Sequence, residues 1–243
     1  MSQNLTRYDQ KLEHILRTSA RIFAEKSYHS TSMRDISRAT GVSLAGLYHY
    51  CKSKEELLFL IQDHCFGRVS ESLEQRIKDV DDPFEKLRVF IDNHLSFFAA
   101  NMAEMKVLSH EAESLEGDLH KHVSTRKEKY AKLARKILRE IQIVSAARPR
   151  GAQAGGPAGV GRPGRAGILN TNDRVDLTIA TYALFGMMNW IYNWYDPRGK
   201  LSVNQLVDNI TRLFLNGFLS SAGEPFVMSL SRASEKVSVW RTA

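Results

Sequence analysis

The amino-acid sequence predicts an all-helical protein, with a small N-terminal head followed by a larger helical body. Apolar residues recur at spacings of three and four along most of the chain, and no segment sustains the two-residue alternation of a strand. Helix-start signatures, in which a serine or aspartate stands three residues before a carboxylate or amide side chain, also recur between the apolar runs.

Each element follows from a local signal. Leu12, Ile15, Leu16, Ala20 and Phe23 form the stripe of a first helix. Ser32 with Asp35 opens a short second helix that Gly41 ends, and Ser43 caps a third running to about Tyr50. Ser53 with Glu56 starts a fourth, through Leu57, Leu60, Ile61, His64 and Cys65. Asp82-Pro83 with Glu85 starts a fifth, because proline suits the first helical position. A sixth spans about Met102 to Leu115 and ends near Gly117, and a seventh carries Val123, Tyr130, Leu133, Ala134, Ile137, Leu138 and Ile141. Residues 145–167 are Ala, Gly, Pro and Arg with almost no large apolar side chain, which predicts a flexible loop. Helix resumes near Asn172 and runs to Tyr195, where Asp196-Pro197-Arg198-Gly199 stops it. Ser202 with Gln205 opens a last strong helix. In the tail, residues 224–243, helical spacing of Phe226, Leu230, Ala233, Val237 and Trp240 competes with a frayed terminus. The expected organisation is a head over 1–68, a body over 69–223 and this tail.

Composition narrows the function classes. No run of eighteen apolar residues and no apolar N-terminal leader occurs, so a cytoplasmic protein without a membrane partner is expected. Two cysteines do not make a disulfide framework. The net charge of +7 points to an anionic partner, yet Arg148, Arg150, Arg162 and Arg165 supply more than half of it from one acid-free stretch. Local pattern is therefore the better guide. His110, Glu111, His120 and His122 lack metal-ligand spacing, and neither Glu111 nor Glu113 lies near a candidate nucleophile. No metal, no cofactor and no enzymatic activity are expected.

Residues 31–54 carry the physics of a helix-turn-helix. Ile36 and Ala39 read as inward-facing, Gly41 supplies a left-handed turn, Val42 fills the gap between helices, and Leu47 anchors the next helix. Ser43, Leu44, Ala45 and Gly46 are small enough to let that helix end enter a major groove about 12 Å wide. Tyr48 and His49 follow where the helix meets the DNA backbone, and Lys54 lies at a helix N-terminus that attracts phosphate. The order Thr-Ser-Met-Arg-Asp-Ile, Gly-Val-Ser, Leu-Tyr-His-Tyr, Lys-Ser-Lys-Glu-Glu-Leu over residues 10–65 resembles the tetracycline-repressor (TetR) family of bacterial regulators. The resemblance implies a homodimer of about nine helices per subunit that binds double-stranded DNA at a near-palindromic operator. Repression, relieved by a small-molecule effector in the body, is the family default. It also implies DNA contacts from Thr31, Ser32, Arg34, Ser43, Leu44, Ala45, Gly46, Tyr48, His49 and Lys54. Two departures stand out: many relatives have lysine at the position of Leu44, and phenylalanine at that of Cys51.

In the body, Leu108-Ser-His-Glu-Ala-Glu-Ser-Leu115 and Phe185-Gly-Met-Met-Asn-Trp-Ile-Tyr-Asn-Trp-Tyr-Asp-Pro197 are similar to the branch governing fatty-acid and steroid-ring catabolism. That branch implies an acyl-coenzyme A effector; a multidrug or other lipophilic effector is the alternative. An acyl chain needs an apolar tunnel, and Phe90, His94, Phe97, Phe98, Met102, Met105, Leu108, Tyr130, Leu133, Ile137, Tyr182, Phe185 and Asn189 are candidates to line one. The resemblance further places the dimer interface on the last two helices, with Trp190, Leu206, Ile210, Leu213, Phe214 and Phe218.

Overall fold

The computed structural model describes residues 6–147 and 175–219. The predicted helical tail falls outside these residues, as does nearly all of the predicted loop. Among the described residues the chain is helical, without strands.

Helix α1 (Arg7–Lys26) begins with a Thr6/Asp9 capping box. Helix α2 (Met33–Thr40) begins with the Ser32/Asp35 box and ends at Gly41, whose φ of 66° is the left-handed conformation a glycine adopts without steric cost. The Ser32 hydroxyl and amide, by donating to the Asp35 carboxylate, hold its pKa below the usual range. Helix α3 (Leu44–Leu47) is shorter than predicted. The amides of His49 and Tyr50 donate three residues back, to Gly46 and Leu47, and this tighter bonding closes the helix early. Helix α4 (Lys54–Ile77) is capped by Ser53, and α5 (Pro83–Ala100) by Asp82. Helix α6 (Met102–His110) is followed by a 3₁₀ turn (Ala112–Ser114), so the predicted sixth helix is split in two. Helix α7 (Gly117–Ala147) extends beyond its apolar stripe at both ends and into the stretch predicted as loop. Helix α8 (Leu177–Asn189) passes into a 3₁₀ turn (Trp190–Asn193), and α9 (Val203–Leu219) closes the described chain.

Two apolar cores result. The head core gathers Ile15, Phe23, Ile36, Leu47, Leu57 and Ile61, all essentially buried. Each such side chain stabilises the fold by about 1.5–3 kcal/mol. Ala39 is exposed, contrary to the sequence reading, and Thr40 is buried in its place. Thr40 stands one turn after Ile36, and its hydroxyl is satisfied by the Ile36 carbonyl at 2.8 Å. Cys51 is buried at the position where many relatives carry phenylalanine, and its burial pushes the thiol up to about 11.

The body core joins α4, α5, α7, α8 and α9 around Phe90, Ile91, Leu95, Ile137 and Leu184. Helix α4 spans both cores, with Leu57, Leu58 and Ile61 in the head and Cys65, Val69 and Leu73 in the body. Val107, Leu115 and Val123, which follow residue 68, pack into the head core. The boundary between head and body is thus interleaved in space.

Candidate functional site

In the head, the Ser43 hydroxyl accepts from the Gly46 amide at 3.1 Å and caps α3. Gly46 is required by close approach, because an added Cβ would lie 2.9 Å from Val42 Cγ1. Ser37 donates to the Val42 carbonyl at 2.6 Å, locking the turn between α2 and α3. Tyr8 stacks on Tyr50 with ring centroids 4.9 Å apart, which ties the start of α1 to the end of the motif.

Ser32, Arg34, Ser43, Ala45, Tyr48 and His49 are exposed, and Leu44 and Gly46 half-buried. Tyr48 is 49% exposed despite its size. Two predicted contacts are turned inward. Thr31 is 2% exposed, and its hydroxyl donates to the Ser27 carbonyl at 2.8 Å. Lys54 is half-buried; its Nζ donates to the carbonyls of Tyr28 and Thr31, each at 2.9 Å, and lies 4.3 Å from the Tyr28 ring centroid. Both residues therefore set the loop geometry ahead of α2.

That loop is joined to the body. The Tyr28 amide donates to Glu111 Oε1 at 3.1 Å, and Gln62 Nε2 donates to the Glu111 carbonyl at 3.1 Å. Ser114 donates to Glu111 Oε2 at 2.9 Å, and the Glu116 amide to Glu55 Oε1 at 3.0 Å. Burial, with Glu55 and Glu111 nearby, raises the Tyr28 pKa.

The body holds a cavity of about 610 Å³ among α5, α6, α7 and α8. Of the thirteen side chains proposed from sequence, His94, Phe98, Met105, Leu108, Tyr130, Tyr182, Phe185 and Asn189 line it. Five do not. Phe90 is buried behind the wall, its ring 5.0 Å from that of Tyr130. Ile137 is buried in the core, against which Met102 and Leu133 pack. Phe97 lines a smaller space of about 310 Å³ facing α1 and α4. An apolar arc as wide as that of α5 also serves its packing on α4 and α9, so helical spacing overcounts cavity residues. Sequence reasoning missed the lining residues Phe66 of α4, Ser109 of α6, Ser124, Lys127, Glu128 and Ala131 of α7, and Gly186, Trp190 and Tyr192 in and after α8. The α7 residues share one stripe at spacings of three and four, a signal hidden because several are polar.

Three of the lining side chains form a polar chain, with His94 and Tyr130 buried and Asn189 exposed. His94 Nε2 is 3.0 Å from Asn189 Oδ1, and its Nδ1 lies 3.5 Å from the Tyr130 hydroxyl. With the Asn189 carbonyl oxygen as acceptor, His94 donates from Nε2, and Nδ1 is left to accept from Tyr130. Burial lowers the His94 pKa to about 4, so the ring is neutral at ordinary pH. Burial likewise raises the Tyr130 hydroxyl. The Asn189 amide nitrogen remains available to a cavity occupant.

The proposed interface residues divide by exposure. Leu206, Ile210 and Phe214 are buried within the subunit, whereas Trp190 and Leu213 are 60% and 67% exposed. Trp194, Leu201 and Ile179 are also exposed, so α8, α9 and the segment between them present an apolar surface. Phe218 belongs to α9, but its side chain lies outside the described set.

Known families carry the same two-part arrangement. Residues 15–61 match the model of bacterial regulatory proteins of the tetR family, and residues 80–146 and 168–218 match the tetracyclin repressor-like C-terminal domain. The chain belongs to the TetR family. One relative, the HTH-type transcriptional repressor KstR2 of Mycolicibacterium smegmatis, is 26% identical over 87% of this TetR chain and 92% of its own. The fatty acid metabolism regulator protein of Bacillus subtilis is 30% identical over 37% of this chain and 47% of its own. AibR, solved with isovaleryl coenzyme A and operator DNA, superposes on this TetR subunit with a TM-score of 0.66. It is 26% identical and aligned over 84% of this chain and 97% of AibR. Among the described residues, no helix is long and apolar enough to cross a membrane.

Proposed function

We propose that this TetR protein is a homodimeric, cytoplasmic transcriptional repressor, without enzymatic activity, that leaves its operator when an acyl-coenzyme A fills the body cavity. The observation that carries this reading is the two-faced segment around α6. Met105, Leu108 and Ser109 line the cavity, while Val107 packs in the head core and Glu111 holds the Tyr28 amide. An occupant pressing on the first set shifts the second, and with it the loop that Lys54 ties to the start of α2. Effector and operator then favour different geometries of one subunit, and binding of either moves the population away from the other.

On the DNA side, Ser43, Leu44, Ala45, Gly46, Tyr48 and His49 would meet the major groove and its edge, and Ser32 and Arg34 the adjacent backbone. Two subunits joined through Trp190, Trp194 and Leu213 would present two such helices to a near-palindromic site. The thioester is favoured by the likeness to AibR and KstR2 and by a cavity that combines aromatic walls with a hydrogen-bond donor at Asn189.

The test is fluorescence anisotropy of a labelled fragment from upstream of the protein's own gene. Saturable binding at moderate salt, reversed by isovaleryl-, octanoyl- or dodecanoyl-coenzyme A, is the expected result. Binding that is reversed only by neutral lipophiles would replace the thioester with the multidrug-type reading, and absence of any DNA binding would end the proposal.

A further inference from the structure

Among the described residues, Lys127 is the one lysine or arginine that lines the cavity, and three basic neighbours on α7 are held by carboxylates. Arg126 pairs with Asp63, Lys129 with Glu74 at 3.3 Å, and Lys132 with Glu128 at 2.8 Å. No carboxylate lies within ion-pair distance of Lys127 among the described residues. Its Nζ sits 5.8 Å from the ring centroid of Phe66, and both side chains line the 610 Å³ cavity. Lys127 is half-buried, and burial holds its pKa below the usual lysine value, with Glu113 pulling weakly the other way. Glu128, the acidic side chain on this wall, is already engaged by Lys132, and His94 is neutral.

A cation held partly out of water without a partner is costly, and an anion brought to it regains that cost. The rest of the cavity lining is largely apolar and aromatic, with the Asn189 amide nitrogen as an uncharged donor. We propose that Lys127 is the anion-recognising residue of this cavity, so that its occupant is an apolar chain bearing a negatively charged group. Either the phosphates of an acyl-coenzyme A or the carboxylate of a free fatty acid supplies that chemistry. The inference rests on the body cavity being the effector site, and does not require the thioester.

The experiment titrates the full-length protein, its Lys127→Met variant and its Lys127→Arg variant with dodecanoyl-coenzyme A, dodecanoate and dodecanol. Isothermal calorimetry reads affinity, and a change in tryptophan emission, to which Trp190 on the cavity wall contributes, reads occupancy. At least one anion should bind the unaltered protein. Lys127→Met should weaken that binding roughly tenfold or more, and Lys127→Arg should restore most of it. Dodecanol affinity should be equal in all three proteins. Because Lys127→Met removes an unpaired cation, its melting temperature should match or exceed that of the unaltered protein, which separates lost recognition from lost folding. If dodecanoate binds through Lys127 and dodecanoyl-coenzyme A does not bind, this inference stands and the thioester reading falls. If Lys127→Met binds the anions unchanged, if dodecanol binds as tightly as they do, or if neither anion binds, the inference is overturned.

Discussion

At the scale of single residues, chemistry and position separate. Lys54 carries the charge suited to a phosphate, yet the fold turns its Nζ to the Tyr28 and Thr31 carbonyls and places it over the Tyr28 ring. Lys127 has the same chemistry in an unremarked stretch of α7 and stands on a cavity wall. Residue type shows what each group can do, but burial and partners decide which one is free to do it. His94 makes this measurable. Its folded pKa of about 4 lies below the unfolded value near 6.5, so the unfolded chain takes up a proton first as pH falls. The associated stability is complete above pH ~6.5 and drains away toward pH ~4, at roughly 1.4 kcal/mol per unit of separation. Melting temperatures recorded across that window should fall more steeply for the unaltered protein than for His94→Gln. Parallel curves would show that His94 is not the group responsible.

At the scale of elements, local signals located helix starts well, because a cap needs only a few neighbouring residues. Ser32, Ser43, Ser53 and Asp82 each cap the helix that the sequence assigns to them. Helix ends and partners were less legible. Helix α3 closes early through short-range turns, and the sixth apolar run breaks into α6 and a 3₁₀ turn where Glu111 is recruited by the head. In the sequence Glu111 is set aside as neither metal ligand nor acid–base group, whereas the structure places it in the joint. Replacing it with alanine leaves the buried Tyr28 amide without its acceptor, a loss of about 1–3 kcal/mol. Glu111→Ala should therefore melt earlier, keep its effector affinity, and release operator less completely when effector is added. Calorimetry combined with anisotropy checks all three, and full release by the variant would remove Glu111 from the coupling path.

At the scale of the whole molecule, the apolar surface of α8, α9 and the segment between them needs a cover. Trp190, Trp194 and Leu213 are too large and too exposed for a subunit that stands alone. Leu213→Asp should leave each subunit folded, since this side chain contributes little to the internal core, and should shift the protein to monomer by analytical ultracentrifugation. Operator affinity should fall by several orders of magnitude, because a monomer engages one half-site. A variant that remains dimeric would move the interface elsewhere.

The all-helical class, the helix-turn-helix and the DNA-binding regulator reading were already present in the one-dimensional pattern. Each depends on spacing within a dozen or so residues, where caps, turns and apolar stripes are written directly. The cavity wall, the Glu111 joint, the inward turn of Lys54 and the freedom of Lys127 were decided only by the tertiary structure. They depend on which helix faces come together across tens of residues, and the apolar stripe of a helix does not say what it will pack against.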